Sequence, residues 1–154
     1  MKALKIGVGV IVVTLVVLVF SLPITTTPGF FIFGNASVAP ANWPDTSSIL
    51  ETKIRVPGII PRVVIIWFVE VDNDMYIVGS RANGWTSMLG DGGPIHMRIE
   101  DLTYPLLAER VSAGTAEVLQ AWEAKYTAGY PEFFNSSAAD EYLIESAVYR
   151  LMRL

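Results

Sequence analysis

Residues 6–24 form an unbroken, uncharged run, IGVGVIVVTLVVLVFSLPI, apolar on every side of a helix. At about 1.5 Å per residue such a helix nearly matches the ~30 Å hydrocarbon core, so the pattern predicts a transmembrane anchor over residues 1–24. The run is longer than the apolar part of an export signal, and it closes on Pro23 and threonines instead of a small-x-small cleavage site. Retention is therefore favoured over cleavage. Lys2 and Lys5 precede the segment, which places the amino terminus in the cytoplasm and the remainder outside the inner (plasma) membrane, in the periplasm.

Residues 25–52 change character. Pro, Thr, Ser, Asn and Gly dominate, which predicts a tether with too little apolar surface to order itself. An apolar island, Phe30-Phe31-Ile32-Phe33, and Trp43 interrupt it. Two placements stand for these rings: the membrane interface, where aromatic side chains are favoured, or the surface of the chain's own folded domain.

A third pattern begins at residue 53. Residues 53–56 read as a short strand stopped by the turn pair Pro57-Gly58. Residues 62–71 and 75–81 read as two strands of a hairpin joined by Asp72-Asn73-Asp74. The first of them, VVIIWFV, is apolar on both faces and so belongs inside a closed sheet or beneath a helix. Gly90 to Pro94 reads as a loop. Residues 95–100 alternate strictly, with Ile95, Met97 and Ile99 on one face and His96, Arg98 and Glu100 on the other. Residues 102–112 read as the returning strand, although Leu-Leu-Ala-Glu-Arg also suits a helix. Residues 116–128 carry the best helical pattern, with Val118, Leu119, Trp122 and Tyr126 on one face, Thr115 as cap and Gly129 as stop. A second, short helix is expected over 137–144 and a last strand over 146–154. The result is about six strands and one substantial helix in a domain covering 53–154.

With 52% apolar residues the chain is not disordered, and with no cysteine it holds no disulfide, thiolate metal site or cysteine nucleophile. Its net charge of −4 becomes more negative once Lys2 and Lys5 are set aside, which argues against nucleic acid as a partner. One histidine and scattered serines offer neither a metal cluster nor a hydrolase grouping. His96 has two readings, an acid-base residue or haem ligand on the one hand and an ordinary strand residue on the other.

The segments IRVP at 54–57, VVIIWFVEVDNDMYIVGSR at 63–81, GGPIHMRI at 92–99 and the helix ending in WEAKYTAGYP carry a resemblance. Together they resemble the FMN-binding split barrels, the superfamily of pyridoxamine-phosphate-oxidase-like and deazaflavin-dependent nitroreductase-like proteins, and within it the small bacterial family DUF2255. The resemblance implies a mainly β (α+β) split barrel, a bound flavin or deazaflavin, and a homodimer sharing its site. It also implies that a Ser-Arg-Lys corner after the second hairpin strand grips the flavin phosphate. Ser80 and Arg81 stand at that corner here, with Gly79 allowing close approach, but Ala82 replaces the lysine. Trp85 either walls the ring site by stacking or anchors its own loop. Arg81 has a plain alternative as a solvated strand-end residue paired with Asp91 or a neighbour. Tyr126, Tyr130, Phe133 and Phe134 either pack the helix onto the barrel or form a docking patch.

Two functional readings follow. One is a membrane-anchored, extracytoplasmic split barrel that binds a flavin-like or other planar anionic ligand, with the enzyme question open. The other is a non-catalytic accessory subunit of a larger membrane complex, held there by residues 6–24 and carrying no cofactor.

Overall fold

The computed structural model describes residues 2–21 and 29–154. The chain begins with helix α1 (Lys2–Ser21), whose residues 6–18 are exposed throughout. Among the described residues no helix is long and apolar enough to cross a membrane. The expected transmembrane segment is therefore not found. Its helix stops at Ser21, and residues 22–24 lie outside the described ones.

The remaining strands are β1 (Asn35–Ala36), β2 (Thr52–Val56), β3 (Arg62–Ile66), β4 (Phe68–Val71), β5 (Asp74–Ser80), β6 (Gly92–Ile99), β7 (Leu102–Val111) and β8 (Ser146–Arg153). They form one sheet of eight strands, ordered β3-β2-β6-β7-β8-β5-β4, with β1 added in parallel to β7. The expected single strand over 62–71 is thus two. β3 lies at one end of that order and β4 at the other, yet Trp67 alone separates them in sequence. One residue spans only about 3.5 Å, so the two ends must come together and the sheet must curl into an α+β split barrel. The strand count exceeds the expected number because of this split and because of β1.

The hairpin between β4 and β5 turns on Asp72 and Asn73, both at positive φ (51° and 66°), the geometry that matches strand twist in two-residue loops. Alternation then sorts the side chains. Phe68, Met75, Ile77, Met97, Leu106, Tyr149 and Leu151 point into the barrel, while Val69, Val78 and Val148, one residue out of phase, meet α3 (Thr115–Tyr126) outside it. This explains the strand that is apolar on both faces, since one side is barrel interior and the other is roofed by a helix. On that helix the buried stripe is Val118, Trp122 and Tyr126. Its N-cap is Gly114 at φ 71°, with no side-chain cap, so the expected capping by Thr115 is replaced by a glycine turn. Short helices α2 (Gly84–Leu89), α4 (Pro131–Phe134) and α5 (Ser137–Ile144) complete the fold. The expected loop at Gly90 to Pro94 is shorter than its composition suggests, because β6 already starts at Gly92.

Of the free tether expected over 25–52, residues 25–28 lie outside the described ones, Thr52 opens β2, and residues 29–51 are bound to the barrel. Gly29 exchanges backbone hydrogen bonds with Val63, and Arg98 donates to the Ile32 carbonyl while Thr103 donates to that of Phe33. Asn73 accepts from the Trp43 N–H at 2.9 Å and donates to the Ala41 carbonyl at 2.8 Å, and Arg153 donates to the Pro40 carbonyl at 2.7 Å. Trp43 is buried edge-on against Tyr104 in the barrel core. Of the Phe island, Ile32 is buried on the domain, whereas Phe31 and Phe33 stay more than half exposed at 56% and 53%.

Candidate functional site

The corner at the end of β5 sends its residues in separate directions. Gly79 and Trp85 belong to the barrel core. Trp85 is only 5% exposed, packs 5.8 Å from the Tyr149 ring, and lies so close to Gly79 that any Cβ there would overlap the indole. The glycine therefore admits a neighbouring ring of its own chain, and the indole anchors α2 inside the barrel. Ser80 lines a separate small recess with Tyr142, Glu141 and Glu145, and its hydroxyl accepts from the Ala82 N–H at 3.2 Å. Burial raises the Tyr142 phenol above its ordinary range, partly offset by a backbone hydrogen bond from Ser80.

Arg81 alone of the four reaches a larger cleft. Its backbone N–H donates to the Glu145 carbonyl at 3.0 Å and its Nε to the Ser146 carbonyl at 3.3 Å. The stem is thereby held, and the terminal nitrogens have no hydrogen-bond partner among the described residues. The cleft is about 450 Å³, within the range of small-molecule sites. Arg81 and Arg110 flank it, Ser112 and Thr115 are its hydroxyl-bearing residues besides Ser146, whose hydroxyl donates to the Tyr142 carbonyl, and Leu119, Leu143 and Val148 form an apolar wall. Thr115 opens the twelve-residue α3, whose first N–H groups lack a side-chain cap and carry the positive end of the helix dipole.

Charge in this cleft runs against that of the whole chain. The ionisable groups lining it are Arg81, Arg110 and Asp91. Asp91 pairs with Arg110, not with Arg81 as one reading had it, at 3.7 Å and with the carboxylate almost fully exposed. An exposed pair at that length contributes little, so Arg110 is available to another anion. The arrangement offers two guanidiniums and a helix start to an anionic group, beside aliphatic surface for an apolar body.

Arg110, Ser112 and Thr115 were not legible as site residues. Arg110 reads as an ordinary outward position of β7, and only the fold brings the end of that strand, the start of α3 and the end of β5 together. His96, on β6, is not among the residues lining the cleft. It stands opposite Arg55 of β2, and burial first and then Arg55 hold its imidazole below the ordinary range. Trp67 joins an aromatic layer, stacked on Tyr126 at 4.4 Å and near Tyr130 at 4.5 Å. Of the two readings for Tyr126, Tyr130, Phe133 and Phe134, packing onto the barrel is the one observed.

No family model and no curated protein matches the chain, so membership of DUF2255 is not shown. Solved structures do resemble it. The conserved hypothetical protein Rv2991 from Mycobacterium tuberculosis shares 13% identity over 70% of this chain and 75% of that one, with a TM-score of 0.55. HutZ, a haem storage protein from Vibrio cholerae, shares 14% over 68% and 82%, with a TM-score of 0.49. A protein of unknown function from Agrobacterium tumefaciens shares 16% over 68% and 48%, with a TM-score of 0.46. At such identity the mycobacterial likeness speaks for the fold alone, and the fold is the split barrel that the strand order already requires.

Proposed function

We propose that this protein binds a small anionic ligand with a planar, apolar body, and that a flavin-like molecule is the first candidate. The observation that carries the reading is the pair Arg81 and Arg110 at the uncapped start of α3, facing the aliphatic wall of Leu119, Leu143 and Val148. A flavin phosphate suits the two guanidiniums and the Thr115 N–H region, which compensates for the absent lysine at Ala82. The wall beside it is aliphatic instead of aromatic, because Trp85 is committed to the core. A bound flavin supplies electron-transfer chemistry; the chain's part is to hold the anion and cover one ring face. The superfamily resemblance supports the same choice of ligand.

Titration of purified protein with FMN and with phosphate-free riboflavin, followed by flavin fluorescence, tests this. FMN is expected to saturate, with riboflavin at least about tenfold weaker, a difference of about 1.4 kcal/mol. Absence of saturable binding by FMN, a deazaflavin cofactor or haem ends the reading.

The second reading, an accessory subunit, is favoured by α1. Its exposed apolar surface has nothing of the domain packed over residues 6–18, as a segment seated in a membrane or against a partner subunit would. On this reading the domain lies outside the inner membrane and α1 holds it there. Resistance of the full chain to carbonate extraction from membranes, and its loss when residues 1–28 are removed, is the expected result. Release of the intact chain by carbonate counts against attachment.

A further inference from the structure

The other flank of α3 carries a second cleft. The buried stripe Val118, Trp122 and Tyr126 divides the helix: Thr115 and Leu119 look toward the arginine cleft, whereas Ala121, Ala124 and Lys125 line one of about 590 Å³. Val69 and Glu70 of β4 and the turn 45–47 form the rest. The apolar residues lining it with Lys125 are small, two alanines and a valine.

Lys125 is held in place. Its Nζ donates to the Phe68 carbonyl at 3.1 Å and lies 3.9 Å from the centre of the Phe68 ring. The same carbonyl accepts from the Tyr126 hydroxyl at 2.8 Å, so the lysine shares an acceptor that already has a donor. No carboxylate lies within ion-pair distance of Nζ among the described residues. The charged groups that bear on it are Glu70 on β4 and Asp45 in the facing turn. Both favour the ammonium, yet burial outweighs them and brings the amine down to about 8 from the ordinary 10.5. A positioned amine on a residue that lines a cleft, partly free of its proton near neutrality, has the character of an imine-forming lysine.

We propose that this cleft captures small aldehydes or ketones covalently, through an imine to Lys125 Nζ. The nitrogen lone pair forms the C–N bond, the carbonyl π electrons move to oxygen, and two protons from the amine leave with that oxygen as water. No oxidant or reductant takes part. Glu70 and Asp45 are the carboxylates that share the cleft with the amine, and Val69, Ala121 and Ala124 are its apolar lining.

The test uses the full chain, acetaldehyde and cyanoborohydride to fix the imine, with peptide mass spectrometry reading each lysine from pH 6 to 10. Lys53 of β2 is the internal reference. Lys125 is expected to be labelled about tenfold faster than Lys53 at pH 7.5, with its half-maximal rate near pH 8. Ala124→Leu, a change at an exposed helix position, is expected to slow labelling of Lys125 severalfold while leaving Lys53 unchanged. Equal rates at the two lysines overturn the proposal, and so does an Ala124→Leu protein labelled as fast as the parent, since that outcome reduces Lys125 to a reactive amine without a site.

Discussion

The inside of the barrel and the layer beneath α3 are built from the same strands but differ in closure. Inside, Ile54, Met75, Ile77, Met97, Leu106 and Leu151 are wholly excluded from water, and Trp43 and Trp85 fill the space near opposite ends of β5. Outside, Val69, Val78 and Val148 meet a belt in which Trp67, Leu119, Tyr130, Phe133 and Phe134 remain only partly covered. Among the described residues the interior is lined by closely packed, buried side chains. The two clefts lie along the flanks of α3. The closed core and the proposed ligand clefts thus fall largely on opposite faces of one sheet.

Paired truncations probe that division most strongly. Leu106→Ala, inside, is expected to cost about 2–5 kcal/mol in urea unfolding, whereas Leu119→Ala, in the partly covered belt, should cost less than about half as much. Equal costs would mean the belt is packed as tightly as the core. Next comes Gly79→Ala, whose methyl must displace the Trp85 ring; a loss of about 1–3 kcal/mol is expected by the same measurement.

Tyr126→Phe removes a hydroxyl that accepts from the Phe68 N–H at 3.0 Å and shares its single proton between the Phe68 and Leu50 carbonyls, at 2.8 and 2.7 Å. That hydroxyl serves the backbone where the chain leaves β3 for β4, and burial holds its proton tightly, well above the ordinary tyrosine range. Leaving the Phe68 N–H unmet should cost about 1–3 kcal/mol. A neutral result would show that water replaces it.

A smaller effect is a pH dependence. In the fold Lys125 releases its proton near 8, while the unfolded chain keeps it to about 10.5. Between those values the unfolded state binds more protons, so this residue's contribution to stability rises with pH; below 8 the cost of burying the charge is carried in full. Lys125→Met should remove that rise from the difference between unfolding curves at pH 8 and pH 10. The smallest stability change belongs to Arg81→Ala, within about 0.5 kcal/mol, because the side chain is exposed. Its effect is expected in FMN affinity, as a loss of about tenfold or more. Unchanged affinity would remove Arg81 from the site.

Much of the sheet was legible because local chemistry matched the final environment. Asp72-Asn73 tolerates the positive φ its turn demands, Ile95, Met97 and Ile99 alternate as a half-buried strand must, and Val118, Trp122 and Tyr126 repeat at helical spacing. Where neighbours far along the chain decided the outcome, composition misled. A Pro- and Ser-rich segment is ordered because Asn73, Arg98 and Arg153 satisfy its carbonyls and amides. The corner at Gly79 reads as a ligand approach, yet an indole six residues later occupies the space. Arg81 was visible as a candidate, but its companion Arg110 was not, since nothing in the order of residues ties the end of β7 to the end of β5.

By itself, then, the sequence determined the turns, the alternation, the amphipathic helix and the acidic, cysteine-free character, because each depends on side chains within a few residues of one another. Only the tertiary structure decided that residues 62–71 divide at Trp67 to close a barrel, that Trp85 is core, and that two clefts of different chemistry flank one helix. Those outcomes depend on which distant backbone and side-chain groups compete for the same space, and separation along the chain carries no record of that competition.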